Sequence, residues 1–275
     1  MAGRQADPLG RLLAQSRPLV MGILNVTPDS FSDGGRFETP ERAIAQVRRM
    51  VEEGADILDI GGESTRPYGD AVAVSAEEEW ARVSPVLPAA IDLGVPVSID
   101  TMKAEVACKA LALGASIIND VWGLQRDPGM ASVAAEFQVP VIVMHNRERA
   151  DPTIDIVADV MAFFGRSLAI AERAGVARDR IVLDPGIGFG KTPEQSIRLI
   201  ARLDQFLSFG LPLLIGLSRK RFINAVVRSE PQNRLAGSIA GNLLAVRAGA
   251  RVLRVHDVAE TVQALRVSAA IISAR

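Results

Sequence analysis

The chain has 275 residues and a formal net charge of −1, which gives no reason to expect a nucleic-acid or acidic membrane surface as its partner. A hydrophobic content of 48% is sufficient for a substantial core, and the length fits one large α/β domain or two small ones. The single cysteine, Cys108, excludes an intrachain disulfide and favours a reducing compartment. Because neither a signal-peptide pattern nor an apolar run of membrane-spanning length is found, we expect a soluble cytoplasmic protein.

Short apolar runs, which predict strands, alternate along the chain with segments of helical periodicity. The predicted strands are residues 18–26, 57–61, 95–100, 116–120, 140–144, 181–184, 212–216 and 251–255. The predicted helices include a segment from Thr39 to Gly54 and residues 75–93, 103–113, 154–174, 234–247 and 258–272.

This alternation predicts a parallel sheet covered by helices. Right-handed crossovers in a chain of this size, close to the roughly 250 residues typical of the fold, favour a single (β/α)8 TIM barrel. An open doubly wound sheet is the alternative. We expect residues 1–18 to form an N-terminal lead-in and residues 19–275 to form one barrel domain.

Polar side chains stand where the apolar runs of the predicted strands end. They are Asn25, Asp100, Asn119, Asp184, Lys220, Arg254 and His256. In a barrel the carboxyl ends of the strands converge on one mouth, where the active sites of this fold lie. A turn cap would explain any one strand-end aspartate equally well, but the whole set at equivalent ends favours a functional site.

The loop at residues 184–191 combines a strand-end carboxylate with a proline and three alternating glycines, which permit a sharp turn and a close approach to a ligand. A Walker loop is excluded because Pro185 stands five positions before Gly190, and the Gly-x-Gly-x-x-Gly dinucleotide fingerprint is absent. We interpret Phe189 as a ligand contact, because its glycine neighbours offer it little to pack against, and Lys191 as a solvated loop cation.

The strand-end side chains fall into two chemical groups. The first suits a flat heterocycle with amino and carbonyl edges, since carboxylates accept N–H groups and lysine donates to a ring carbonyl or nitrogen. Its members are Asp100, Asn119, Asp184 and Lys220. The second group suits an anion such as a phosphate, and the Asn25 carbonyl is an oxygen ligand of the kind magnesium uses. Its members are Asn25, Arg66, Arg254 and His256.

Seven segments, in order, resemble the motifs of the dihydropteroate synthases. The first two are residues 21–35, MGILNVTPDSFSDGG, and residues 59–67, DIGGESTRP. The others are residues 98–101, 118–120, 184–191, 218–220 and 254–257. The resemblance implies a reaction in which a dihydropterin-methyl diphosphate loses diphosphate to the amine of p-aminobenzoate. The product, 7,8-dihydropteroate, serves folate synthesis.

The resemblance also implies roles for individual residues. The expected pterin contacts are Asp100, Asn119, Met144, Asp184 and Lys220. The expected diphosphate contacts are Asn25, Thr65, Arg66, Arg254 and His256, with Mg2+ held by Asn25. The expected p-aminobenzoate contacts are Thr65, Arg66, Pro67, Gly188, Phe189, Ser218 and Lys220. The expected catalytic residues are Phe31, Asp33, Asp184 and Lys220, with Phe31 and Asp33 closing over the site.

The resemblance further implies small-molecule substrates, without nucleic acid or membrane, and a homodimer formed through the outer helices of the last strands. Two alternative functions remain open. A methyltetrahydrofolate-dependent corrinoid methyltransferase would share a pterin-binding barrel but would need a protein partner and no diphosphate site. A non-catalytic pterin-binding protein would need neither a protein partner nor a diphosphate site.

Overall fold

The computed structural model describes residues 7–27, 39–63 and 74–274, in which eight parallel strands close into a barrel. The strands are β1 (Leu19–Asn25), β2 (Ile57–Gly61), β3 (Val97–Asp100), β4 (Ile117–Asp120), β5 (Val141–Met144), β6 (Ile181–Asp184), β7 (Leu213–Ile215) and β8 (Ala250–Val255). Because β1 pairs with both β2 and β8, the predicted (β/α)8 barrel is confirmed and the open sheet is excluded.

Helices surround this barrel, and none in the described ranges combines the length and apolarity needed to cross a membrane. The first six are α1 (Pro8–Leu13), α2 (Thr39–Glu52), α3 (Ala76–Val83), α4 (Leu87–Ile91), α5 (Ala104–Leu113) and α6 (Met130–Phe137). The remainder are α7 (Ile156–Ala174), α8 (Pro193–Ala201), α9 (Arg221–Val226), α10 (Leu235–Arg247) and α11 (Val258–Ser273).

An apolar cluster fills the interior of the barrel near the amino ends of the strands. Its buried members are Leu9, Leu19, Met21, Ile57, Ile117, Ile142, Val182, Leu214 and Val252. Leu9 comes from α1, so this helix covers the amino end of the barrel. The Arg251 guanidinium fixes the segment that follows α1 by donating to the carbonyl oxygens of Leu13 at 2.8 Å and Gln15 at 2.6 Å.

Two residues beyond this apolar floor, the same strands carry polar side chains. Since alternate residues of a strand face the same side, these side chains also point into the barrel. The apolar and polar pairs are Ile57 and Asp59, Ile117 and Asn119, Val182 and Asp184, and Val252 and Arg254. A step of two residues along each of these strands therefore leads from the apolar floor to the polar mouth.

Some helices differ from the sequence prediction. The helix predicted over residues 75–93 is wrong, since α3 and α4 are separated at Ser84, Pro85 and Val86. Pro85 has no N–H to donate to the preceding turn, which interrupts the helix.

The helices α6, α8 and α9 are not among those predicted from the sequence. A local signal does mark α8, because Thr192 and Gln195 form a capping box in which each side chain accepts from the other residue's backbone N–H, at 3.1 and 3.0 Å.

Candidate active site

The guanidinium of Arg254 links two carboxylates at the carboxyl end of the barrel. Its Nε donates to Asp59 Oδ2 at 2.6 Å, and its Nη2 donates to Asp100 Oδ2 at 2.6 Å. Asn119 Nδ2 donates to the same oxygen of Asp59 at 3.1 Å. Side chains from β2, β3, β4 and β8 thus form one hydrogen-bonded network across the interior.

Burial sets the protonation of this network. The pKa of Asp100 is raised to about 7 by burial, which outweighs the opposing charge of Arg254. Burial by itself lowers the pKa of Arg254, but the charges of Asp59 and Asp100 shift it above its ordinary value. Asp100 can therefore accept or donate a hydrogen bond to a ligand near neutral pH, while Arg254 stays charged.

Asp184 lies at the end of β6, where its Oδ1 accepts from the backbone N–H of Gly186 at 2.8 Å. Burial raises the pKa of Asp184 to about 6, against this hydrogen bond and the charges of Lys220 and Arg254. The mouth thus holds a second carboxyl group that is close to its protonation midpoint in the neutral range.

Three buried oxygens of the mouth have no hydrogen-bond partner among the residues that the structure describes: Asp59 Oδ1, Asp100 Oδ1 and Asn119 Oδ1. An unsatisfied buried acceptor costs about 1–3 kcal/mol, so such groups persist where a ligand or water completes them. The oxygens of Asp100 and Asn119 come from neighbouring, paired positions of β3 and β4. Together they present an edge of acceptors suited to the N–H groups of a heterocycle.

The Lys220 ammonium lies over the Phe189 ring, 4.0 Å from its centroid, which is a cation–π distance, and its charge lowers the pKa of Asp184. A Cβ added at Gly188 would lie 3.5 Å from Lys220 Cδ, so this glycine leaves room beside the lysine stem. The expectation that Phe189 has little to pack against is wrong, because the residue is only 8% exposed and its ring packs with Val121 and Met144. The ligand contact itself stays a prediction.

Ser218 and His256 are in direct contact. The Ser218 hydroxyl oxygen accepts from the backbone N–H of His256 at 3.2 Å and lies 3.0 Å from His256 Nδ1. Burial and the charge of Arg254 lower the pKa of His256 to about 3, so the ring is neutral at pH 7. In the tautomer in which the serine O–H donates to Nδ1, the ring proton is on Nε2, where it is a donor for a ligand.

Comparison with known proteins decides the family. The sequence model of a family described as "Pterin binding enzyme" matches residues 21–256. A protein of Bacillus subtilis (strain 168) named dihydropteroate synthase is 47% identical over 245 residues, which is 89% of this chain and 85% of the relative. The chain belongs to the dihydropteroate synthase family.

Solved structures of dihydropteroate synthases have the same fold. The enzyme of Xanthomonas albilineans with 4-aminobenzoic acid superposes with a TM-score of 0.89 at 49% identity, covering 93% of each chain. The Xanthomonas albilineans enzyme in complex with 7,8-dihydropteroate gives a TM-score of 0.86 at 47% identity, covering 93% of this chain and 94% of that one.

Five residues assigned by the dihydropteroate synthase resemblance lie outside the described residues: Phe31, Asp33, Thr65, Arg66 and Pro67. The ends that border residues 64–73 are described. There the Glu63 carboxylate accepts from the backbone N–H of Val74 at 3.3 Å and from Lys103 Nζ at 2.6 Å. Glu63 thus joins Val74 to Lys103, the residue directly before α5.

The expectation that Lys191 is a solvated loop cation is wrong. Its side chain is 1% exposed, and its ammonium donates to the carbonyl oxygens of Gly186 and Phe189, both at 2.8 Å. It also lies 2.8 Å from Nδ1 of His145, which gives that histidine a structural role in holding the loop. Sequence patterns gave no sign of this burial, because loops have no periodicity that separates buried from exposed positions.

The raised pKa of Asp184 predicts a change of stability with pH. The folded protein holds this proton up to about pH 6, whereas the unfolded chain releases it near its ordinary value of about 3.9, so stability is lost as the pH rises between them. We expect Asp184→Asn to raise the free energy of unfolding at pH 8 by about 1–3 kcal/mol, with no gain at pH 3.5. Urea denaturation at both pH values measures this.

Asp92→Asn, at an exposed position after α4, is the matched control and should change stability little at either pH. An Asp184→Asn variant with the same gain at both pH values, or with a loss at pH 8, would contradict the assigned direction.

Proposed function

We propose that this protein is a dihydropteroate synthase that condenses (7,8-dihydropterin-6-yl)methyl diphosphate with p-aminobenzoate to give 7,8-dihydropteroate and diphosphate. The observation that carries the proposal is the pair of unsatisfied buried oxygens on Asp100 and Asn119, beside Asp184, at the mouth of the barrel. Identity of 47% to a named dihydropteroate synthase over most of both chains supports it.

The pterin end uses the polar mouth. The amino and lactam N–H groups of the pterin donate to Asp100, Asn119 and Asp184, which removes the cost of the unsatisfied oxygens. Lys220 donates to a ring carbonyl or nitrogen from above, and the buried side chain of Met144 supplies an apolar wall. The neighbouring apolar floor keeps the ring from sinking further into the barrel.

The diphosphate end uses neutral and charged donors. His256 offers its Nε2–H, and Arg254 has donors beyond the two N–H groups that it uses on Asp59 and Asp100. Asn25, Thr65 and Arg66 complete this end in the proposal. Neutralising the diphosphate charge makes it a better leaving group.

The reaction replaces one bond of the pterin methylene with another. The carbon–oxygen bond to diphosphate breaks and its electron pair leaves with the diphosphate, while the ring delocalises the positive charge left on the methylene. The p-aminobenzoate nitrogen then forms the new carbon–nitrogen bond and loses a proton. We assign Asp33 to electrostatic stabilisation of the cation and Phe31 to the exclusion of water, which would compete with this weak nucleophile.

The p-aminobenzoate end comprises residues around Phe189 and Lys220. The 4.0 Å contact between the Lys220 ammonium and the Phe189 ring places a cation and an aromatic face together, which suits an aromatic carboxylate. Gly188 leaves space beside them. Ser218 follows β7, the strand next to β6, which precedes Phe189. Thr65, Arg66 and Pro67 are assigned to the same end.

An assay of diphosphate release tests this function directly. Incubation with the pterin diphosphate, p-aminobenzoate and Mg2+ should release diphosphate and form dihydropteroate. Lys220→Ala and Asp184→Ala should each lower kcat/KM by at least about 100-fold, because each removes a polar contact that acts where charge develops.

Lys109→Ala, which removes a surface lysine paired with Glu105, serves as the control and should retain full activity. Wild-type activity in the Lys220 and Asp184 variants would overturn the assigned roles. A wild-type protein without turnover would favour the methyltransferase or the non-catalytic alternative.

We also propose that Mg2+ enters with the diphosphate and is held by Asn25. No group of three or more His, Cys, Asp or Glu side chains in the described ranges is placed to hold a metal ion. A single carboxamide oxygen at the end of β1 fits Mg2+, which commonly keeps several waters and binds through one or two protein ligands plus substrate phosphates. When bound, Mg2+ would neutralise charge on the departing diphosphate.

Asn25→Ala should therefore raise the Mg2+ concentration needed for half-maximal activity by about tenfold, while pterin binding without diphosphate stays unchanged. A magnesium titration of diphosphate release measures the first quantity, and calorimetry with a dihydropterin measures the second. An unchanged magnesium requirement would remove Asn25 as the ligand.

We propose that the protein is a homodimer formed through its last helices. Six large apolar side chains that are more than half exposed lie on or directly after α9, α10 and α11: Val226, Val227, Leu244, Val267, Ile271 and Ile272. Exposed apolar surface of this kind marks protein interfaces. We also propose a cytoplasmic location, because the single cysteine suits a reducing compartment.

Sedimentation velocity should thus report a dimer that Ile271→Glu converts to monomer, because a buried charge in an apolar interface is costly. Leu113→Glu places the same charge on an exposed leucine of α5 and should leave the dimer intact. A monomeric wild-type protein, or a dimer that survives Ile271→Glu, would contradict this interface.

A further inference from the structure

The loops that follow β5 and β6 pack together backbone to backbone. Gly186 and Gly190 both have positive φ angles, of 65° and 56°. A Cβ added at Gly186 would collide with the carbonyl oxygen of His145, and one added at Gly190 would collide with that of Arg147. The contact between the two loops and the positive φ angles therefore each require glycine at these two positions.

The ammonium of Lys191 occupies the centre of this contact. Its acceptors are Gly186 O, Phe189 O and His145 Nδ1, each at 2.8 Å, with His145 O at a longer 3.4 Å. Burial lowers the pKa of Lys191 well below its ordinary value, and the charge of Asp184 opposes that shift. Acceptors around the N–H bonds of the ammonium also favour its charged form. With the side chain 1% exposed, these bonds are shielded from water and hold the loop firmly.

A chain of hydrogen bonds continues from this ammonium toward the surface. His145 accepts at Nδ1, so its proton is on Nε2, which lies 3.0 Å from Asp159 Oδ2. Arg147 donates to the same carboxylate oxygen at 2.8 Å. Asp159 thus balances the cations on either side of it and fixes the tautomer that Lys191 needs.

Phe189 is the residue that this arrangement positions. Lys191 binds its carbonyl oxygen from two residues away, and the Phe189 ring then packs against Val121 and Met144 with its face toward the Lys220 ammonium. Without Lys191, the turn at residues 186–190 would have two carbonyl groups without this buried donor. The Phe189 ring is then free to move away from Lys220.

We propose that Lys191 is a positioning residue for the second substrate, which acts through Phe189 and does not touch either substrate. The proposal rests on the proposed function, because it assigns p-aminobenzoate to the space beside Phe189 and Lys220. Lys191 acts on Asp184 through its charge. The position of Asp184, however, is set by β6, where it pairs in register with Met144, and its carbonyl oxygen accepts from the backbone N–H of His145 at 2.9 Å.

Steady-state kinetics of Lys191→Met test this role. The KM for p-aminobenzoate should rise by about tenfold or more, and the KM for the pterin diphosphate should change by less than about threefold. Lys109→Met, the same substitution at a surface lysine, should change neither constant. A role in overall stability alone would move both constants together or neither.

A double-mutant cycle shows whether Lys191 acts through Phe189. Phe189→Ala should raise the p-aminobenzoate KM, and adding Lys191→Met to it should raise that KM no further. Fully additive effects would overturn the proposal.

The His145 position provides a second test if Lys191→Met does not fold. His145→Gln keeps an acceptor for the ammonium and should retain a near-normal KM for p-aminobenzoate, whereas His145→Leu removes the acceptor and should raise it. Equal constants in the two variants would overturn the proposal. The proposed function fails separately, through absence of turnover in the wild-type protein.

Discussion

A single cation between two buried carboxylates organises this site. Isolated charges inside a barrel are costly, but Arg254 from β8 reaches Asp59 on β2 and Asp100 on β3, so each charge has a partner. This geometry depends on closure of the barrel, because β8 and β2 both pair with β1 and thereby become neighbours across the interior. The fold and the site are for this reason two consequences of the same strand pairing.

At the mouth of the barrel, the carboxyl groups outnumber the guanidinium group that pairs with them. One guanidinium serves two carboxylates, and a third carboxyl group, on Asp184, remains nearby with its pKa raised by burial. The unsatisfied oxygens of Asp100 and Asn119 add to this cost. A ligand that supplies N–H donors satisfies these oxygens. The unsatisfied oxygens lower the stability of the free protein, and the same free energy then favours binding of the substrate.

The sequence could predict the barrel and the strand-end residues, because strand period and chain order carry that information locally. It could not predict that Lys191 is buried or that Ser218 contacts His256, since those contacts join loops of different strands. Pro85 does mark the division between α3 and α4 in the sequence itself, because a proline inside a helical pattern interrupts the helix. The five assigned residues in the first two loops lie outside the described residues and stay predictions.

A crystal structure of the protein with a bound 7,8-dihydropterin measures the central claim most directly. The N–H edge of the ring should lie within about 3 Å of Asp100 Oδ1 and Asn119 Oδ1, with Arg254 still bridging Asp59 and Asp100. A pterin bound outside the mouth, or one that leaves both oxygens without a partner, would contradict the account.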